Sequence, residues 1–140
     1  MQTEAFIDTN VFLRFLIFDK SNPNMSELAR KAFLMLKEGK IILYTNVLII
    51  AETVYVLEKY YELSKNEVRE KLIPILVYDN LVIDGKEKVL AALTIFYEKN
   101  VDFEDAYTYF DMLNSQILKI ITFDEEHFKR FDDIEILTTA

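Results

Sequence analysis

The sequence predicts an α/β sandwich with a mainly parallel central sheet, folded as a single domain over residues 1–140. Short apolar runs typical of strands alternate with longer segments whose apolar residues recur at helical spacing, and this alternation is typical of parallel sheets crossed by helices. The chain of 140 residues is long enough for one core and too short for two. Its 51% apolar and 29% charged residues are a globular composition.

The predicted helices are recognised by apolar periodicity, by their caps, or by both. They cover residues 11–17, 26–38, 46–61, 64–78, 86–99, 102–116 and 125–130. The clearest start is Ser64 followed by Glu67, because this pair can form a reciprocal capping box. Gly39 favours the end of the second helix. The polar residues around Pro23 predict a loop over residues 19–24.

The predicted strands are shorter and lie between these helices. One ends at Asp8, and the others cover residues 41–44, 81–83, 120–122 and 134–137. The chain has no cysteine, which excludes disulfide scaffolds and thiolate metal sites and fits a reducing compartment. Its start lacks a basic segment before an apolar run, and its longest apolar stretch is interrupted by polar residues. We therefore expect a soluble, cytoplasmic protein.

Three aspartates lie at predicted strand–helix boundaries. Asp8 ends the first strand, Asp124 follows the strand over residues 120–122, and Asp105 lies in the first turn of a helix. Ligand sites of open α/β sheets lie at the carboxyl ends of the strands, so these acids are candidates for one shared site. Each also has a structural explanation, because acids in these positions often cap helices or favour the positive end of the helix dipole.

Glu52 lacks that structural explanation. The helix over residues 46–61 is apolar nearly all round, so we expect Glu52 to be buried. A buried carboxylate must be protonated, paired with a cation, or bound to a metal. No lysine or arginine lies between Lys40 and Lys59. The expectation is a metal or active-site role, with pairing to a distant base such as Arg14 as the alternative.

These residues lie in blocks that resemble the signature of PIN-domain ribonucleases, and most closely the VapC-type toxins of prokaryotic toxin–antitoxin pairs. The blocks are residues 6–11 (FIDTNV), Glu52 on a helix after the second strand, residues 102–106 (DFEDA) and residues 122–124 (TFD) followed by Phe128. The resemblance covers essentially the whole chain. It implies a three-layer sandwich, RNA as the substrate, a homodimer, and a VapB-type antitoxin as the protein partner.

The four acids, Asp8, Glu52, Asp105 and Asp124, predict a site for Mg²⁺ or Mn²⁺ rather than zinc, because these hard ions prefer oxygen ligands. Such ions would also resolve a difficulty that the negative net charge of the chain raises for binding RNA. The chain carries a net charge of −8, which by itself argues against gripping a polyphosphate, whereas bound cations neutralise the acids where a phosphate must lie.

The neighbouring residues have weaker predicted roles. Thr9 and Asn10 are candidates to orient Asp8 and a bound water, or are simply part of the first helical turn. Arg14 is a candidate phosphate contact, although an ordinary solvated arginine is the default interpretation. His127 is expected to be a surface or capping residue rather than a metal ligand.

Other function classes fit less well. A Mg²⁺-dependent phosphatase of the haloacid-dehalogenase kind needs a second aspartate two residues after the first, and this chain has Asn10 there. A phosphoacceptor module would need paired acids after the first strand and a late functional lysine. An inactive PIN-like interaction module stays open. The helix after Asp105 is bulkier than is usual in the family, which leaves the groove shape and the substrate choice open.

Overall fold

The computed structural model describes residues 3–17 and 21–137. The chain forms two compact units, Met1–Lys86 and Glu87–Ala140. The single-domain organisation stays a prediction.

The first unit is built on a parallel sheet in the order β1-β2-β3. The strands are β1 (Thr3–Phe6), β2 (Ile41–Thr45) and β3 (Leu81–Ile83). Phe6 lies opposite Tyr44 and Thr45 opposite Ile83, so the strand ends are in register at the carboxyl edge of the sheet. In β2 the buried positions alternate with half-buried ones, as expected for a central strand.

The helices of the first unit are α1 (Thr9–Leu16), α2 (Pro23–Lys37), α3 (Val47–Lys59) and α4 (Lys65–Leu76). The predicted capping box is confirmed, because the Glu67 amide donates to Ser64 Oγ at 3.1 Å and the Ser64 amide to Glu67 Oε1 at 3.0 Å. The predicted loop over residues 19–24 is wrong in its second half. The α2 helix already begins at Pro23, a residue well suited to the first helical position, with Asn22 as its N-cap. Residues 19 and 20 lie outside the described residues.

Helices and sheet of the first unit enclose an apolar core. Its fully buried side chains include Phe12, Leu36, Leu43 and Ile50. The side-chain amide of Asn80 donates to the carbonyls of Leu36 (2.6 Å) and Ile41 (2.9 Å), which ties the end of α2 to the start of β2. This packing fixes the sheet edge from which α1 and α3 begin.

The second unit contains most of α5 (Lys86–Glu98), α6 (Phe103–Ser115), β4 (Lys119–Ile120), α7 (Glu125–Phe128) and β5 (Glu135–Ile136). The two short strands pair in parallel, with Lys119 opposite Glu135. Buried Phe103 and Phe128 contribute to the core around α6 and α7. The Tyr109 ring stacks on Phe131 at a centroid distance of 3.8 Å.

The predicted fold class is confirmed: the protein is a mixed α/β structure whose parallel sheet is flanked by helices. The element order agrees with the prediction, and most boundaries move by only a few residues. The first strand, for example, ends at Phe6 rather than Asp8. Over residues 3–17 and 21–137, none of the helices combines the length and the apolar character that a membrane span requires.

Candidate functional site

Asp8 caps the helix α1. Its backbone is extended (φ −102°, ψ 169°), and its Oδ1 accepts a hydrogen bond of 2.6 Å from the Thr9 amide. The structural explanation that the sequence offered for Asp8 is therefore realised. This capping role does not exclude metal binding by Asp8, because the capping hydrogen bond uses only Oδ1 and a carboxylate has two oxygens.

Thr9 connects Asp8 with Glu52. While its amide donates to Asp8, its buried hydroxyl Oγ1 donates to Glu52 Oε2 at 3.0 Å. The contact joins the first turn of α1 to the second turn of α3, across 43 residues of sequence. The sequence predicted that Thr9 orients Asp8. In the structure the Thr9 amide contacts Asp8 and its hydroxyl contacts Glu52, and an orienting role stays a prediction.

The predicted burial of Glu52 is wrong, because the structure leaves this side chain exposed. The buried side of α3 is formed by Ile50, Thr53, Val54 and Leu57. Leu48 and Tyr55, which lie four and three residues from Glu52 and so on the same helical face, are 77% and 60% exposed. The premise that Glu52 must be neutralised because of burial therefore fails, and its candidate role depends on its position beside Thr9.

In the second unit, the other two predicted acids lie around His127. Its Nδ1 lies 2.8 Å from Asp105 Oδ2, 3.6 Å from Asp124 Oδ2 and 3.7 Å from Asp102 Oδ2. Asp102 and Asp105 belong to the start of α6, and Asp124 and His127 to α7. Within the described part of the chain, neither Asp102 nor Asp124 caps its helix through its side chain. The capping explanation therefore does not account for Asp124.

Burial raises the pKa of the Asp105 carboxyl, and the neighbouring charges of Asp124 and Asp102 raise it further. The hydrogen bond from His127 acts in the opposite direction. Asp105 is thus a half-buried acid among other acids, an environment that a bound cation would relieve. Asp102, Asp105 and His127 each have an oxygen or nitrogen atom that lies within 4.8 Å of those of the other two, so these side chains form a close polar cluster.

Asp102 and His127 were not predicted as members of this cluster from the sequence. His127 was expected to be a surface or capping residue, whereas it is half-buried and contacts Asp105. A signal was present in the spacing. Asp102 and Asp105 are three residues apart, as are Asp124 and His127, and side chains three apart on a helical turn are neighbours.

The two remaining predicted residues lie on α1. Asn10 is exposed, and Arg14 is half-buried in the last turn. Both line an open, mostly apolar cavity of about 410 Å³ bounded by α1, α2, β1 and β2. The roles of Asn10 in orienting a water and of Arg14 in contacting phosphate stay predictions.

Comparison with known proteins identifies the family. No curated protein matches the chain. The model of the PIN domain matches residues 5–134, which is nearly the whole chain and includes all four predicted acids. PIN domains generally act as metal-dependent nucleases and typically bind a divalent metal, so a nuclease-type, hydrolytic function is indicated. By this match over most of its length, the chain belongs to the PIN domain family.

Proposed function

We propose that this protein is an endoribonuclease that hydrolyses RNA phosphodiester bonds with Mg²⁺ or Mn²⁺. Asp8, Glu52, Asp105 and Asp124 are the proposed metal-binding and catalytic acids. The observation that carries the proposal is the pairing of these acids. Within the first unit Thr9 bonds to both Asp8 and Glu52, and within the second unit His127 lies beside both Asp105 and Asp124.

The donor set fits a hard divalent ion. The four acids supply carboxylate oxygens, which Mg²⁺ and Mn²⁺ prefer, and the sequence has no cysteine that would favour a softer ion. When bound, such ions activate water and stabilise the leaving oxygen of an in-line phosphodiester displacement. The chain's own contribution is to hold the carboxylates, Asp8 by its cap bond and Glu52 by the Thr9 hydroxyl.

RNA as the substrate, and the finer assignment to VapC-type toxins, rest on the resemblance of the signature blocks. We propose on the same basis a homodimer in the cytoplasm and a small VapB-type antitoxin. The antitoxin would cover the acidic site with a basic side chain. The net charge of −8 supports this, because an acidic site attracts a basic inhibitor as well as metal ions. A phosphatase is not favoured, since Asn10 occupies the position where that class needs an aspartate.

The central experiment measures metal binding by calorimetry and cleavage of a labelled RNA, with Mn²⁺, Mg²⁺ or EDTA. We expect cleavage with either ion, none with EDTA, and a rise in the melting temperature with metal, since an ion that binds only the folded state stabilises it. The Glu52→Gln variant should lose cleavage by orders of magnitude. Its metal-free unfolding free energy should change by no more than about 0.5 kcal/mol, because Glu52 is exposed.

The matched control is Glu104→Gln, the same substitution at an exposed acid that precedes Asp105 on α6. It should cleave like the parent protein. Absence of metal binding at millimolar Mn²⁺ and Mg²⁺, together with absence of RNA cleavage, would show that the proposed function is wrong.

The partner proposals have separate tests. Light scattering at micromolar concentration should give the mass of a dimer, and a monomer would count against the homodimer. A small basic protein encoded beside this gene should bind the purified chain and inhibit its cleavage. If no such neighbouring gene exists, or if its product leaves cleavage unchanged, the toxin–antitoxin assignment fails while the nuclease proposal stands.

A further inference from the structure

His127 is the one histidine of the sequence, and it lies at the centre of the acidic cluster of the second unit. Its Nδ1 is within 3.7 Å of carboxylate oxygens of Asp102, Asp105 and Asp124. Only the contact with Asp105, at 2.8 Å, has the length of a direct hydrogen bond. The side chain is half-buried, so this bond is partly shielded from competing water.

We propose that His127 is a positioning residue, whose Nδ1–H donates to Asp105 Oδ2 and holds the Asp105 and Asp124 carboxylates ready for the metal ion. The inference rests on the proposed function and deepens it. It assigns His127 to the support of the ligands and not to the ligand set itself.

An ionised carboxylate can only accept hydrogen bonds, so in this contact with Asp105 the His127 Nδ1 carries the hydrogen and donates. A carboxylate that accepts through Oδ2 keeps its Oδ1 for another partner, and the bond fixes the plane of the carboxylate. Carboxylates that bind metals are commonly held in this way, and loss of the supporting donor weakens metal binding by about 10- to 100-fold. Ions such as Mg²⁺ and Mn²⁺ select oxygen over nitrogen, so the carboxylates are the better ligands here.

The architecture of α7 gives the second argument. This helix has four residues, which is too short to be stable without tertiary contacts. Asp124 lies at its start and Asp105 on α6, so the alignment of the two acids depends on contacts between these helices. The bond from His127 to Asp105 is such a contact. Buried Phe128 and the Arg130 side chain, which donates to the Asn100 carbonyl, anchor the far end of α7.

The cluster also needs a donor for electrostatic reasons. Three carboxylates gathered around one point repel one another in the metal-free protein. An N–H group placed among them offsets part of this repulsion and keeps the acids from turning away. Without His127, the metal ion itself would have to overcome the repulsion between Asp105 and Asp124, and its affinity for the site would be lower.

The test uses the full chain, three substitutions of His127 and one control substitution. His127→Ala removes the donor, and His127→Asn keeps an N–H close to the place of Nδ1, whereas His127→Gln moves it further along the side chain. Glu126→Gln, an exposed position on the same helix, is the matched control. We expect Mn²⁺ affinity, measured by calorimetry, to fall about 10- to 100-fold in His127→Ala. It should recover largely in His127→Asn, recover less in His127→Gln, and stay unchanged in Glu126→Gln.

Two spectroscopic readouts separate positioning from ligation. Because the chain has one histidine, a ¹⁵N-histidine NMR spectrum reports on His127 alone, and this measurement needs no variant to fold. We expect Nδ1 to carry hydrogen both without metal and with Mg²⁺. Pulsed electron paramagnetic resonance of the Mn²⁺ form should show no ¹⁴N coupling that depends on His127.

Three results would overturn the inference. They are an Nδ1 without hydrogen, a ¹⁴N coupling that disappears in His127→Ala, and an unchanged Mn²⁺ affinity in His127→Ala. The first two would make His127 a ligand or a bystander while leaving the nuclease intact. Failure of the proposed function is distinguishable, because the unmodified chain would then neither bind Mn²⁺ nor cleave RNA.

Discussion

The hydrogen bond between Thr9 and Glu52 allows two effects to be measured separately: the orientation of the Glu52 carboxylate and the stability of the fold. In Thr9→Val the side chain keeps its shape and loses only the hydroxyl that donates to Glu52 Oε2. A hydrogen bond to a charged group contributes about 1.5–3 kcal/mol when its loss strands a buried charge. Glu52 is exposed, however, so water replaces the lost donor, and we expect the metal-free unfolding free energy to fall by about 1 kcal/mol or less.

The effect on metal binding should be larger than the effect on stability. Loss of a group that orients a ligand typically weakens metal affinity or activity by about 10- to 100-fold. Urea unfolding without metal measures the stability, and calorimetry with Mn²⁺ together with RNA cleavage measures the function. The expected pattern is a small decrease in the midpoint of unfolding, of about 0.5 M urea or less, and a clear loss of affinity and cleavage.

Thr53→Val is the matched control for this experiment. Thr53 lies on the same helix as Glu52, is fully buried, and donates to the Ile49 carbonyl at 2.8 Å. Its replacement should change stability by a similar amount and leave metal affinity and cleavage unchanged. If Thr9→Val and Thr53→Val behave alike in all three measurements, the orientation of Glu52 by Thr9 has no functional importance.

Two further predictions concern parts of the structure away from the acids. Burial and the hydrogen bond to Asp133 raise the pKa of Tyr109 from 10.0 to about 12. The stabilisation from this group is therefore complete below pH 10 and lost as the pH rises from 10 to about 12, so urea unfolding should show a decline there that Tyr109→Phe removes. In the capping box, Ser64→Ala should lower the unfolding free energy by about 1 kcal/mol, whereas Ser64→Asp, which also caps well, should lower it much less. A cost for Ser64→Asp equal to that for Ser64→Ala would argue against the capping role.

Local signals in the sequence predicted much of the fold. The Ser64–Glu67 capping box needs only residues three apart, so its helix could be predicted without knowledge of tertiary structure. The alternation of strands and helices likewise gave the parallel sheet. The start of α2 was misplaced because Pro23 was interpreted as a loop residue, although proline is equally suited to the first turn of a helix.

The candidate site was harder to predict because its members come from distant parts of the chain. The burial of Glu52 was inferred from an apolar helix, but the sequence does not say which apolar face is covered, and Leu48 and Tyr55 prove to be exposed. The contact between His127 and Asp105 depends on the packing of α7 against α6. The spacing of three residues makes side chains neighbours only within each helix, so it could not predict this contact.

The cap formed by Asp8 affects how mutational scans of this protein should be interpreted. Asp8→Ala would remove a helix cap and a candidate metal ligand at once, so a loss of activity could arise from a frayed α1 as easily as from a missing carboxylate. Asparagine caps helices about as well as aspartate, and Asp8→Asn therefore removes the charge while keeping the bond to the Thr9 amide. At this position an alanine scan confounds the two roles, and amide replacement distinguishes them.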